Sequence, residues 1–216
     1  RAAWMAAGVA ALLGVVLQTH ISKKMKYGLI TLLLLVGIGV YSGSSTVRDR
    51  VNVGWHELTQ PLTEVADTSV GLRRQYWLAS FQMISDHPVW GVGRFQFPKE
   101  KQVLVDAGVL TPAASQYDHP HNELLFAWVE LGLLGFMGIL CLYLGPAYFF
   151  WRHRQAKYAS TRSMAIIGLM VIGSYMIFGL VDVMMVAWVM QAPVYLLTVM
   201  MPIVFILSKQ PSRIDM

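Results

Sequence analysis

The chain has 216 residues, of which 56% are hydrophobic and only 13% charged, and its formal net charge is +5. A soluble domain carries about 25% charged residues, so this composition excludes an ordinary soluble domain and indicates a membrane protein. The basic residues do not form one block, which argues against a nucleic-acid partner. The single cysteine, Cys141, excludes an intrachain disulfide.

Apolar stretches separated by short polar turns predict an all-α polytopic membrane protein with about five transmembrane helices. Three stretches cover residues 2–18, 27–41 and 123–150. A fourth, 164–207, is about twice the length that one crossing needs, so we expect two helices folded near Asp182.

The distribution of lysine and arginine orients these helices. The two short turns and the C-terminal tail hold nine of the 17 basic residues: Lys23, Lys24, Lys26, Arg152, Arg154, Lys157, Arg162, Lys209 and Arg213. Short loops rich in Lys and Arg stay in the cytoplasm, so the polar block must face outward, which in a Gram-negative cell is the periplasm. We therefore expect a multi-pass membrane protein, which in such a cell lies in the inner membrane. We expect residues 1–41 to form two transmembrane helices, residues 42–122 a large periplasmic loop with short helices, and residues 123–216 three transmembrane helices with a short cytoplasmic tail.

Within the loop, residues 69–86 are predicted to be helical, because apolar side chains and one arginine recur at helical spacing (Arg73, Trp77, Phe81 and Ile84). Such a helix could lie on the membrane surface. It should end at His87-Pro88, before a tight turn at 90–93, and a short helix is expected within 99–112. Asp118 and Pro120 suit the cap and first turn of the third transmembrane helix.

The run His119-Pro120-His121-Asn122-Glu123 is the main candidate for chemistry. A helix N-terminus disfavours the imidazolium, so a neutral His121 could act as a general base. The alternatives are two solvated loop histidines, or a metal bound by His119, His121 and Glu123. Pro120 opposes the strand geometry that would bring those three side chains together.

Three arginines are candidates for binding a diphosphate. Arg73 and Arg74 could hold it bidentately, and Arg94, after the turn, could join them. The alternative is that they snorkel towards lipid headgroups. Lys99 and Lys101 are expected on a solvated face. Gly91 and Gly93 lack the strand that precedes a nucleotide-binding loop, so they indicate a turn.

In this order, these segments resemble the O-antigen ligase and polymerase superfamily of bacterial envelope enzymes. The resemblance is strong from about Ser69 to Gly138 and rests on four runs, SVGLRRQYW from Ser69, HPVWGVG from His87, HPHNE from His119 and ELGLLG from Glu130. The ligase signature is a histidine, then Asn, Ser or Gln, nine residues, glycine, two residues and glycine. His121, Asn122, Gly132 and Gly135 satisfy it, whereas Phe136 and Met137 stand where the ligase pattern often has two threonines.

The resemblance implies a metal-independent, inverting glycosyltransferase with a GT-C-like fold and no cofactor. Such an enzyme takes a glycan from undecaprenyl diphosphate in the outer leaflet and passes it to an acceptor hydroxyl, in ligases that of the lipid A-core. The resemblance assigns the catalytic role to His121 and substrate binding to six residues: Arg73, Arg74, Arg94, His119, Asn122 and Glu123. Further arginines come from an N-terminal half in this family, so we expect this chain alone to be inactive.

Two relatives within the superfamily stay open at this point, the O-antigen polymerases and the protein O-oligosaccharyltransferases, whose acceptor is a protein. Outside it, a polysaccharide transporter would place polar residues in mid-membrane and use repeated halves. A non-catalytic sensor would use the loop to bind a partner. Here the polar chemistry is concentrated outside the spans, which favours the enzyme.

Overall fold

The computed structural model describes residues 2–18, 21–183 and 192–209, and this part of the chain is entirely helical apart from turns. The α-helices in chain order are α1 (Ala2–Leu17), α2 (Lys23–Gly43), α3 (Ser45–Thr59), α4 (Leu62–Val65), α5 (Ser69–Asp86), α6 (Phe97–Asp106), α7 (Glu123–His153), α8 (Ala159–Gly179) and α9 (Ala192–Lys209). A 3-10 turn, Pro112–Gln116, lies between α6 and α7.

Three of these helices are long and apolar enough to cross a membrane, namely α2, α7 and α8. Helix α1 has 16 residues and α9 has 18, so each is close to the roughly 20 that a crossing needs. The predicted 164–207 stretch is divided as expected, since α8 ends at Gly179 and α9 begins at Ala192. The membrane character is confirmed, and a total of five spans stays a prediction.

The chain divides into two compact units, of which the first contains residues 1–30 and 140–216. Within it, α8 packs against both α1 and α9. A Cβ atom on Gly14 would lie 3.1 Å from the Met170 sulfur, and one on Gly173 would lie 2.5 Å from Leu13 Cδ1. Small residues therefore let α1 and α8 approach closely, as at other helix contacts in membranes.

The second unit contains residues 31–139 and has its core around α5. Thr68 caps this helix by accepting a hydrogen bond from Gly71 N–H, and the helix stops before Pro88. Its buried apolar face is formed by Leu72, Tyr76, Ala79 and Met83, which follow helical spacing and pack against Phe97, Leu110, Ala114 and Val129.

The bounds predicted for α5 are confirmed, and its core-facing residues differ from the stripe that the sequence analysis noted. Phe81 is exposed and Trp77 is only partly buried. The side of α5 that carries these two residues therefore lies next to the side that faces the core. The first basic turn also differs from expectation, because Lys23, Lys24 and Lys26 already belong to α2. The Lys26 ammonium donates to the carbonyl of Val16, near the C-terminus of α1.

Candidate functional site

The His119–Glu123 run is held at the start of α7 by a cap and a side-chain clamp. The Asn122 side chain accepts a hydrogen bond from Leu125 N–H at 3.1 Å, and its carbonyl accepts from Phe126 N–H. Trp77 of α5 donates from its indole to the carbonyl of Pro120 at 3.0 Å. The predicted cap at Asp118 is therefore wrong, because α7 begins at Glu123 and Asn122 is its cap.

His121 has a backbone conformation that non-glycine residues rarely adopt, with φ 51°. This left-handed region costs an L-residue roughly 1–2 kcal/mol, so the surroundings must hold it there. The ring lies edge-on to Tyr117 with centroids 4.8 Å apart, and edge-on to His119 at 4.5 Å. The direction of the His121 side chain is thus set by packing as well as by the backbone.

His119 supports its neighbour through a backbone contact. Its Nδ1 atom accepts a hydrogen bond from His121 N–H at 3.4 Å. An accepting Nδ1 carries a lone pair, so a neutral His119 bears its proton on Nε2. The two predicted histidines therefore lie together, one orienting the backbone of the other.

His121 and Arg73 line the same cavity, although they are far apart in the sequence. The cavity has a volume of about 260 Å³ and lies between α5, the 3-10 turn and the histidine run. Its other lining residues are Asp67, Ser69, Leu72, Tyr76, Gln116 and Tyr117. One guanidinium, one imidazole, a carboxylate, an amide and hydroxyl groups thus surround a space large enough for part of a sugar phosphate.

The other five predicted site residues, of which His119 is described above, do not line this cavity. Arg74 is half-buried and donates to the carbonyl of Gln60 at the end of α3. Arg94 is exposed and its guanidinium lies over the ring of Phe95. Glu123 is fully buried in the first turn of α7, and Asn122 is its cap. Arg73 is therefore the predicted arginine that faces the same space as His121.

Lys101 is buried, which contradicts the expectation of a solvated lysine. Its ammonium donates to the carbonyl of Tyr117 and lies 5.1 Å from the ring centre of Tyr76. Burial lowers the pKa of Lys101, and the nearby Asp118 charge partly opposes this. The sequence of α6 gives no signal that Lys101 is buried, because Tyr76 and Tyr117, which cover it, come from other segments.

Tyr76 lies at the centre of the cluster and was not singled out as a site residue. Its hydroxyl is buried and makes no hydrogen bond of standard geometry within the described part of the chain. Burial, and then the proximity of Tyr117, raise the pKa of Tyr76 to about 12. This tyrosine is therefore neutral at physiological pH.

The glycines of the family pattern have a structural role in this site. Helix α7 is broken at Gly132, which has φ 64° and ψ −156°, a combination open essentially to glycine alone. The turn at 87–93 docks onto the break: Val92 N–H donates to Val129 C=O, Gly93 N–H to Glu130 C=O, and Leu133 N–H to Val89 C=O. Gly91 approaches so closely that a Cβ atom would lie 2.5 Å from the Val129 oxygen.

The same junction holds Glu130 and Trp128. Glu130 is buried and its carboxylate accepts a hydrogen bond from Phe95 N–H at 2.8 Å, while the Trp128 indole donates to Pro88 C=O. These contacts confirm that 90–93 is a turn and explain why glycines stand at positions 91 and 132. They satisfy backbone groups that the broken helix leaves open.

Comparison with known proteins finds a curated relative in Haemophilus influenzae, described as an uncharacterized protein, which is 24% identical over 186 residues. The match covers 82% of this chain and 45% of the relative, so the chain spans less than half the length of that protein. The sequence profile of the O-antigen ligase family matches residues 1–140, which include α5, the docked turn and the whole histidine run. The chain belongs to the O-antigen ligase family.

Proposed function

We propose that this chain carries the acceptor-activating part of a glycosyltransferase that moves a glycan from undecaprenyl diphosphate to an acceptor hydroxyl, that of the lipid A-core. The single observation that carries the proposal is the shared cavity of Arg73 and His121. Family membership supports the reaction class. The loop then faces the periplasm, with the isoprenoid of the donor in the bilayer and its glycan outside.

Arg73 supplies positive charge for the diphosphate in this mechanism. A guanidinium matches phosphate oxygens bidentately and stays protonated at any physiological pH. As the bond between the anomeric carbon and the diphosphate oxygen breaks, the electron pair leaves with the diphosphate. A fixed cation beside that oxygen stabilises the developing charge.

His121 removes the proton of the acceptor hydroxyl. The acceptor oxygen attacks the anomeric carbon from the face opposite the diphosphate, so the new bond has inverted configuration. The proton passes to the imidazole, which must be neutral before the step. The position of His121, one residue before the Asn122 cap of α7, suits this, because the partial positive charge of a helix N-terminus disfavours the imidazolium.

The remaining lining residues suit the binding of a sugar. Asp67, Ser69 and Gln116 offer hydrogen-bond groups to hydroxyls, and the ring of Tyr117 offers a flat apolar surface. His119 and Asn122 act behind His121, the first through the backbone and the second by capping α7. Glu123 and Arg94 stay predicted substrate-binding residues, and this step assigns them no separate role.

A cellular experiment tests the proposal and identifies the acceptor. The complete protein with His121→Ala replaces the wild type, and surface glycolipid and glycoprotein are separated on gels. We expect loss of capped lipopolysaccharide, with lipid-linked glycan accumulating at normal protein levels. His87→Ala is the matched control, because this exposed histidine of the same unit lies outside the cavity lining.

The two other outcomes correct the proposal at different levels. Loss of glycosylated protein, with lipopolysaccharide intact, would keep the chemistry and make the protein an O-oligosaccharyltransferase. Unchanged glycans of both kinds would exclude His121 as the base and leave a binding or transport role for the loop.

A further inference from the structure

Helix α3 has an apolar face that points away from the rest of its unit. Val47, Val51, Trp55 and Leu58 are spaced by four, four and three residues, which places them on one side of the helix. Three of them are strongly exposed, Val51 at 52%, Trp55 at 69% and Leu58 at 60%. Large apolar side chains aligned in this way indicate a surface that is covered in the working protein.

The opposite face of α3 is the one that contacts protein. The Glu57 carboxylate accepts a hydrogen bond from Val70 N–H in α5, and the carbonyl of Gln60, after the last turn, accepts from Arg74. Asn52 and His56 line a groove of about 530 Å³ that α3 shares with α4 and the start of α5. The apolar side is thus the outward side of an otherwise attached helix.

The chain leads into α3 from a transmembrane helix. Helix α2 has 21 residues, which at 1.5 Å per residue is about 31 Å, the thickness of the bilayer's hydrocarbon core. Ser44 then caps α3 by accepting a hydrogen bond from Val47 N–H, so one residue separates the two helices. Helix α3 therefore starts at the level of the lipid headgroups.

The charges of α3 fit that level. Arg48 and Arg50 fall on either side of the apolar face, whereas Asp49 lies on the far side of the helix. Arginines that flank an apolar stripe carrying a tryptophan are the pattern of a helix lying in the membrane interface, where the cations meet lipid phosphates.

We propose that α3 docks by its Val47, Val51, Trp55 and Leu58 face onto the surface of the bilayer, with Arg48 and Arg50 on anionic lipid phosphates. Because α3 holds Val70 and Arg74 of α5, this docking fixes the height of Arg73 above the membrane. That consequence rests on the proposed function, since it places the arginine near the diphosphate of a lipid-linked donor.

Spin-label accessibility tests the docking without relying on activity. The complete protein, in a Cys141→Ser background, is labelled at Trp55→Cys and reconstituted into vesicles of phosphatidylethanolamine and phosphatidylglycerol. Collisions with oxygen, which is enriched in lipid, are compared with collisions with a water-soluble nickel chelate. Asp49→Cys is the matched control on the same helix, and Val51→Cys and Leu58→Cys repeat the test should loss of Trp55 disturb folding.

We expect labels on the apolar face to collide with oxygen severalfold more often than with nickel, and the label at position 49 to show the reverse. Nickel access at 51, 55 and 58 equal to that at 49 would place the face in water and overturn the proposal. Low access to both reagents would also overturn it, because the face would then be covered by protein. None of these readings depends on glycan transfer, so failure of the docking and failure of the proposed reaction are distinguishable.

Discussion

The break of α7 at Gly132 gives the sharpest prediction for the fold of the site. In Gly132→Ala, the added Cβ would overlap the carbonyl oxygen of Val89 and lie 2.6 Å from the carbonyl carbon of Trp90. Neither approach is tolerated by real Cβ atoms, so the turn at 87–93 must leave its dock or α7 must straighten.

The cost has two parts. The φ and ψ of Gly132 are strained for any L-residue by about 1–3 kcal/mol. Displacing the turn also loses three backbone hydrogen bonds, those of Val92, Gly93 and Leu133, at about 0.5–1.5 kcal/mol each. We therefore expect a loss of about 2.5–7.5 kcal/mol in the free energy of unfolding.

The assay is thermal unfolding of the purified complete protein in detergent. This loss should lower the unfolding midpoint of Gly132→Ala below that of wild type. Gly138→Ala is the matched control on the same helix. A Cβ atom added there meets no neighbouring atom within 4 Å in the described part of the chain, and alanine favours a helix by about 1 kcal/mol. A Gly132→Ala midpoint no lower than that of wild type would refute the docking of the turn onto the break.

Three further predictions concern the cluster behind the cavity. Because burial raises the pKa of Tyr76 to about 12, its contribution to stability is present below pH 10 and is lost between pH 10 and 12. Tyr76→Phe should therefore lose less stability than wild type over this pH range. The same dependence of the unfolding midpoint on pH in both proteins would contradict the prediction. Burial lowers the pKa of Lys101, so the stability of wild type should rise relative to that of Lys101→Met as the pH increases towards 10.5. A difference between the two unfolding midpoints that does not change with pH would count against a buried ammonium. Trp77→Phe leaves the carbonyl of Pro120 without its indole donor. The free energy of unfolding should therefore fall by about 1–3 kcal/mol, and glycan transfer should become slower. If neither quantity changes, this hydrogen bond does not hold the histidine run in place.

Local sequence patterns predicted α5 and the apolar spans, but they did not predict α3 or α4. Helix α5 has the bounds that its apolar spacing and the following His87-Pro88 indicate, and α7 begins at Glu123, the first residue of the predicted apolar span. These features depend on neighbours within a few residues, which a sequence displays directly. The cap was misassigned because Asp118 and Asn122 are both good capping residues, and only the fold decides between them.

Features that depend on distant segments were missed. The break at Gly132 is stable because a turn some forty residues earlier supplies its hydrogen bonds, and no local signal in α7 announces it. Lys101 is covered by tyrosines of α5 and of the segment before His119. The sequence also could not decide between Arg73 and Arg74. Only the packing of α3 against α5 directs Arg74 to the carbonyl of Gln60 and leaves Arg73 facing the cavity.

Donor binding and glycan transfer, measured on the same purified complete protein, test the central claim most directly. With a labelled undecaprenyl-diphosphate glycan, His121→Ala should bind the donor as wild type does and transfer it at least about 100-fold more slowly. Arg73→Met should lose donor affinity, whereas Arg74→Met should retain it. Transfer by His121→Ala at the wild-type rate would contradict the account, because the imidazole would then have no part in activating the acceptor.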